Sequence, residues 1–128
     1  MDNFTQRYLE TALWSSTDDN GEPLDNDFDI NDIDAETIDR AIMDCNDFRE
    51  IAADLLNSLT DKLTDEKLSA IAADFDGQHG HDFWLTRNRH GAGFWDRGYG
   101  DIGDSLTNIA NSFGPVDLIV DDNGQIYS

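Results

Sequence analysis

Carboxylates lie along one face of the longest helix that the sequence predicts. Their spacing would allow them to bind a basic surface. This helix runs from Asp34 to Leu59, because apolar residues recur there every three or four positions. The acidic side chains opposite the apolar face are Glu36, Asp39, Asp47, Glu50 and Asp54. Steps of three or four residues advance about 4.5 to 6 Å along the axis, on the scale of the phosphate repeat of a DNA strand. A basic DNA-binding groove could take this stripe for a duplex, although an ordinary solvated helix face has the same pattern.

A second group of carboxylates lies in the segment from Ser16 to Ile33, where Gly21 and Pro23 predict an acidic loop. Its central members are Asp25, Asp27 and Asp29. With Asn31 and Glu36 at the seventh and twelfth places, they match the ligand spacing of an EF-hand calcium loop. Ile30, however, stands where the sharp turn of such a loop needs glycine. We therefore predict no metal site and no cofactor.

The region from His79 to Arg97 is basic and aromatic, unlike the rest of the chain. Two aromatic-rich runs, 81–87 and 91–97, predict a β-hairpin. The side chains that could bind a ligand there are His81, Trp84, Arg87, His90, Trp95 and Arg97. Stacking on the tryptophans and ion pairing with the arginines would supply the contacts. Alternatively, a carboxylate of the acidic part pairs with these arginines and the aromatic side chains face the core.

Catalytic chemistry has weaker support in the sequence. His81, Asp82, His90 and Asp96 could act as acids or bases. No serine or cysteine nucleophile motif, phosphate-binding loop or zinc-ligand spacing accompanies them. The single cysteine, Cys45, lies on the apolar side of the long helix, where a buried core thiol is expected. We predict a binding protein and not an enzyme.

The composition limits the partners that such a protein can have. Against 28 aspartates and glutamates the chain has only 8 lysines and arginines, for a net charge of −20 over 128 residues. A surface of this sign repels nucleic acid and anionic membranes, and it attracts basic proteins. High solubility is the alternative reason for such a charge. No membrane span or signal peptide is apparent, so a cytoplasmic location is expected.

The other predicted elements complete an α+β fold in a single domain, 1–128. Amphipathic spacing predicts helices over 3–15, 64–75 and 102–113. A second hairpin joins 116–120 to 125–127 across Asn123-Gly124. The predicted domain has an acidic helical half, 1–76, which includes the long helix. The other half, 77–128, consists of a small antiparallel sheet of two hairpins with a helix between them.

The segments Leu13–Asp25 and Gly80–Arg97, with the terminal Val-Asp, Asp-Asn-Gly and Tyr motifs, resemble a group of small acidic proteins encoded by bacteriophages and mobile elements. The resemblance covers nearly the whole chain and implies a phage setting, in a host cytoplasm. Together with the charge, it predicts a DNA-mimic inhibitor or decoy that occupies a basic DNA-binding or defence protein of the host. The alternative is an accessory module that binds a ligand or protein through the hairpin of residues 81–97.

Overall fold

Four α-helices make up most of residues 1–58, 78–89, 94 and 101–128, which are the residues that the computed structural model describes. In chain order they are α1 (Asn3–Ser15), α2 (Ala35–Ser58), α3 (Gln78–Arg87) and α4 (Asp101–Ser112). Two short 3-10 helices, Leu24–Asn26 and Ile30–Asp32, lie in the acidic loop. Strands β1 (Ile119–Val120) and β2 (Ile126–Tyr127) pair antiparallel, with Val120 opposite Ile126. The predicted α+β class is confirmed, with helix in the majority.

Helices α1, α2 and α4 and the hairpin of β1 and β2 confirm the corresponding predictions. Each of the three helices buries an apolar side and exposes a polar one, which is the pattern that revealed them. The terminal hairpin turns at Gly124, whose φ of 78° favours glycine. The predicted helix over 64–75 lies outside the described residues.

Helix α3 corrects the predicted hairpin over 81–97. The first run of the predicted hairpin, 81–87, is helical. The second run, 91–97, lies outside the described residues except for Phe94. Phe83, Trp84 and Leu85 are consecutive and all buried, so apolar residues are not confined to one side of α3. A helix buried on all sides lacks the 3.6-residue period. The aromatic content was then the only local signal, and it favoured a strand.

The centre of the core is a cluster of aromatic rings contributed by α1, α2, α3 and Phe94. Phe48 of α2 is fully buried and stacks on Phe83 of α3 with ring centroids 4.3 Å apart. Phe94 and Phe4 stack against the same Phe48 ring at 5.4 and 6.1 Å. Tyr8 meets Trp84 edge to face at 5.3 Å. These rings bury the large apolar area that stabilises so highly charged a chain.

Close packing of α1 on α3 depends on Gly80. A Cβ atom at this position would overlap the backbone carbonyl oxygen of Phe4 and would lie 3.2 Å from the amide nitrogen of Tyr8. Both neighbours are helix backbone, which cannot rotate away as a flexible side chain can. Glycine is therefore required here for helix approach, although it weakens the helix itself.

We expect Gly80→Ala to destabilise the fold by about 1 to 3 kcal/mol, because overpacking outweighs the better helix propensity of alanine. Urea unfolding followed by circular dichroism measures the change. The matched control is Asn46→Ala on the exposed side of α2, where alanine should be neutral or slightly stabilising. Equal effects of the two substitutions would contradict the proposed close approach.

Carboxylates cap the first two helices. Asp2 accepts a hydrogen bond from the backbone nitrogen of Thr5 at 2.8 Å, and Asp34 accepts one from Thr37 at the same distance. Asp2 also pairs with Arg49 of α2 at 2.6 Å, which joins the start of α1 to α2. Partial burial opposes ionisation of Asp2, but the bonds from Thr5 and the charge of Arg49 prevail and lower its pKa.

Asp2→Ala should cost about 1 kcal/mol at neutral pH, the usual effect of losing a helix cap. Because folding lowers the pKa of Asp2, its charge stabilises the fold fully above its ordinary pKa of 3.8. That contribution is lost as the pH falls through the lower folded value. Unfolding of both proteins in urea between about pH 7 and about pH 2 should show the difference shrinking on the acid side. A difference independent of pH would refute the ionic contribution.

Candidate functional site

The acidic stripe comprises Glu36, Asp39, Asp47, Glu50 and Asp54, and all five side chains are exposed. At 3.6 residues per turn they fall within an arc of about 80°. The opposite side of α2 carries Cys45, Phe48 and Ala52, which are completely buried. From Glu36 to Asp54 the stripe extends about 27 Å. The packing of α2 on the core therefore fixes the stripe toward solvent.

Few basic side chains neutralise the charge of the stripe in the described part of the chain. Within the described part of the chain, none of its five carboxylates forms a salt bridge. The two arginines of α2 contact other segments: Arg40 donates to the backbone oxygen of Ser128 at 2.6 Å, and Arg49 pairs with Asp2. Met43, 63% exposed, lies on the same side of α2, between Asp39 and Asp47. A row of unpaired carboxylates like this attracts cations and basic surfaces.

The loop carboxylates Asp25, Asp27 and Asp29 are also exposed, but they are not arranged as an EF-hand. Asp25 belongs to the first 3-10 helix, and Asp29 caps the second by accepting from the backbone nitrogen of Asn31 at 2.8 Å. In the segments described, no three histidine, cysteine, aspartate or glutamate side chains lie close enough to bind a metal ion together. Asp25 and Asp29 instead line a surface groove beside Glu10 of α1.

The basic and aromatic residues of α3 lie mostly inside the protein. Trp84 is buried and donates its indole N–H to Ser15 at 2.7 Å. His81 is half-buried and shares a hydrogen bond of 2.9 Å with Thr11 of α1. Of the six side chains considered as a ligand site, His90, Trp95 and Arg97 lie outside the described residues. Trp84 and Arg87 do not face solvent, so these two support the core.

Arg87 is the centre of a buried polar network. Its guanidinium donates to the carboxylate of Asp44 at 2.8 Å and to the hydroxyl of Tyr8 at 2.9 Å. It also donates to the backbone oxygens of Gly114 at 2.8 Å and Phe113 at 3.0 Å. Burial raises the pKa of Tyr8 despite the nearby charge of Arg87, so this hydroxyl is neutral. The alternative of an arginine of this region paired with an acidic-half carboxylate is confirmed by Arg87 and Asp44.

Cys45 is completely buried, as expected for a core thiol. Burial raises its pKa to about 12, so the thiol is protonated at neutral pH. A protonated, inaccessible thiol is neither a nucleophile nor a metal ligand.

Two features of the site were missed from the sequence. Asp44 is the acidic residue of α2 that turns toward the core, and its position beside buried Cys45 was the available signal. Trp14 is 56% exposed on α1, on the side that carries Arg7 and Glu10. An aromatic residue on the polar side of an amphipathic helix was the signal for Trp14.

Comparison of the chain with models of protein families, with curated proteins and with solved structures returned no match. Across the described segments, every helix is too short or too polar to cross a bilayer.

We expect Arg87→Met to destabilise the protein by about 2 to 4 kcal/mol, because the hydroxyl of Tyr8 and the carbonyl oxygens of Phe113 and Gly114 would lose their donor. Thermal and urea unfolding measure this loss. Arg7→Ala removes the same charge from an exposed site and should cost less than about 1 kcal/mol.

The double variant Arg87→Met/Asp44→Leu distinguishes the contribution of the two charges from that of side-chain packing. Removing both charges together should recover part of the stability lost in Arg87→Met. If Arg87→Met cost no more than Arg7→Ala, the network would have no structural role.

Proposed function

We propose that this protein is a DNA mimic that binds a basic nucleic-acid-binding or defence protein and occupies its DNA site. The observation that carries the proposal is the acidic stripe on α2, which is exposed, about 27 Å long and without ion pairs among the described residues. The resemblance to small acidic phage proteins makes a host protein the expected partner.

The spacing of the stripe supports a resemblance to a phosphate backbone. Asp47, Glu50 and Asp54 follow one another at three and four residues, or about 4.5 and 6 Å of rise. A DNA-binding protein places lysines and arginines to meet charges on this scale. Binding to such a protein would be fast, because opposite charge steers the encounter.

The sign of the net charge favours one class of partner. The net charge of −20 disfavours contact with nucleic acid itself, which carries the same sign. Arg87, the basic residue that ends α3, is buried and paired. The exposed acidic surface therefore supports a protein partner and not a nucleic acid.

Neutralising the stripe tests the proposal. We expect the quadruple variant Glu36→Gln/Asp47→Asn/Glu50→Gln/Asp54→Asn to lose at least tenfold in affinity for its partner, because four of the phosphate-like charges are removed. The fold should be retained or slightly stabilised, since like charges three and four residues apart on a helix repel. Immobilised protein is used to capture partners from bacterial lysate, and duplex DNA and salt are used to elute them.

The matched control changes the net charge equally at exposed positions outside α2. Its substitutions are Asp19→Asn, Asp104→Asn, Asp117→Asn and Asp122→Asn. This control should retain the partner, and duplex DNA should displace the partner from the parent protein. Loss of binding in both variants would indicate unspecific charge attraction, and a partner that DNA does not displace would exclude mimicry.

A further inference from the structure

A groove lies between α1 and the acidic loop, apart from the stripe. Its wider part, about 510 Å³, is lined by Glu10 together with Asp25, Phe28, Asp29 and Ile30. The narrower part, about 310 Å³, continues past Glu10 and Asp25 to Trp14 and His81. Volumes of this size are typical of ligand-binding pockets. The groove therefore combines three carboxylates with an exposed indole ring.

The walls of the narrower part are fixed by contacts. The His81 ring lies 6.1 Å from that of Trp14 and is bonded to Thr11 of α1. Glu10 accepts a hydrogen bond from Gln6 at 3.0 Å, and its contact with Arg7 is long, at 3.9 Å. Glu10 therefore retains capacity to accept further hydrogen bonds.

We propose that this groove binds an arginine side chain of the basic partner, with the guanidinium against Trp14 and paired with Glu10 or Asp25. The inference deepens the proposed function, because it names an anchoring contact for the same class of partner. Charge complementarity selects a cation, since Glu10, Asp25 and Asp29 outnumber Arg7 in the combined groove.

The chemistry favours arginine over lysine. A guanidinium is planar, stacks on an indole ring and can donate two parallel hydrogen bonds to one carboxylate. An ammonium group is more strongly hydrated and pairs as a point charge. Exposed tryptophan and arginine are also the side chains that most often dominate protein interfaces. The stripe would then supply attraction at long range, and the groove would distinguish between basic partners.

Short peptides separate the two contributions. We expect hexa-arginine to bind roughly fivefold more tightly than hexa-lysine, from stacking and paired hydrogen bonds at the groove. Calorimetry at about 0.15 M salt measures both affinities. Trp14→Ala should reduce this ratio to about one by weakening hexa-arginine, with circular dichroism confirming that the variant is folded. Asp25→Asn should weaken hexa-arginine more than Asp117→Asn, which makes the same change of charge elsewhere.

The outcomes distinguish the groove from the stripe. The quadruple stripe variant should weaken both peptides by a similar factor and leave their ratio unchanged. A ratio near one in the parent protein, or a ratio that Trp14→Ala does not alter, would overturn the groove proposal. If the stripe variant bound both peptides normally while Trp14→Ala abolished the preference, the groove would stand and the proposed role of the stripe would fail.

Discussion

The buried guanidinium of Arg87 is the interaction on which the arrangement of the helices depends. It joins α3 to Tyr8 of α1, to Asp44 of α2 and to the backbone carbonyl groups of the two residues that follow α4. Removing this cation from water costs several kcal/mol, and only a complete set of acceptors offsets that cost. Few relative positions of the four helices supply all of these acceptors together. The network thus selects one packing among the many that an aromatic core alone would allow.

The two sides of helix α2 have different roles: one side stabilises the fold, and the other carries the charges that would attract a partner. Asp44 turns inward and is neutralised by Arg87, whereas the stripe on the opposite side faces water. Like charges along the stripe repel one another and oppose folding. Burial of Phe48 among the rings of α1 and α3 provides the opposing free energy. The core thus holds in place a helix whose outer surface is unfavourable for stability, and the stripe stays exposed as the proposed binding role requires.

The amphipathic helices could be predicted because the pattern of apolar and polar residues in each one shows which side is buried. Helices α1, α2 and α4 each lie between core and solvent, so burial imposes a 3.6-residue period on the sequence. The same reasoning placed the stripe on the exposed side of α2. Helix α3 escaped prediction because Phe83, Trp84 and Leu85 are all buried, so no period remains. Gly80, which resembles a helix breaker, is in fact the residue that lets α3 approach α1.

The sequence by itself determined the charge, the acidic stripe, the loop carboxylates and the absence of an internal disulfide, because these follow from residue types and local spacing. Only the tertiary structure decided that Arg87 is buried, that Asp44 of α2 neutralises it, and that Trp14 of α1 lies beside Asp25 of the acidic loop. Asp44 and Arg87 are 43 positions apart along the chain, and Trp14 and Asp25 are 11 apart. Contacts between distant residues depend on how helices pack, and helix packing leaves no local period in the sequence.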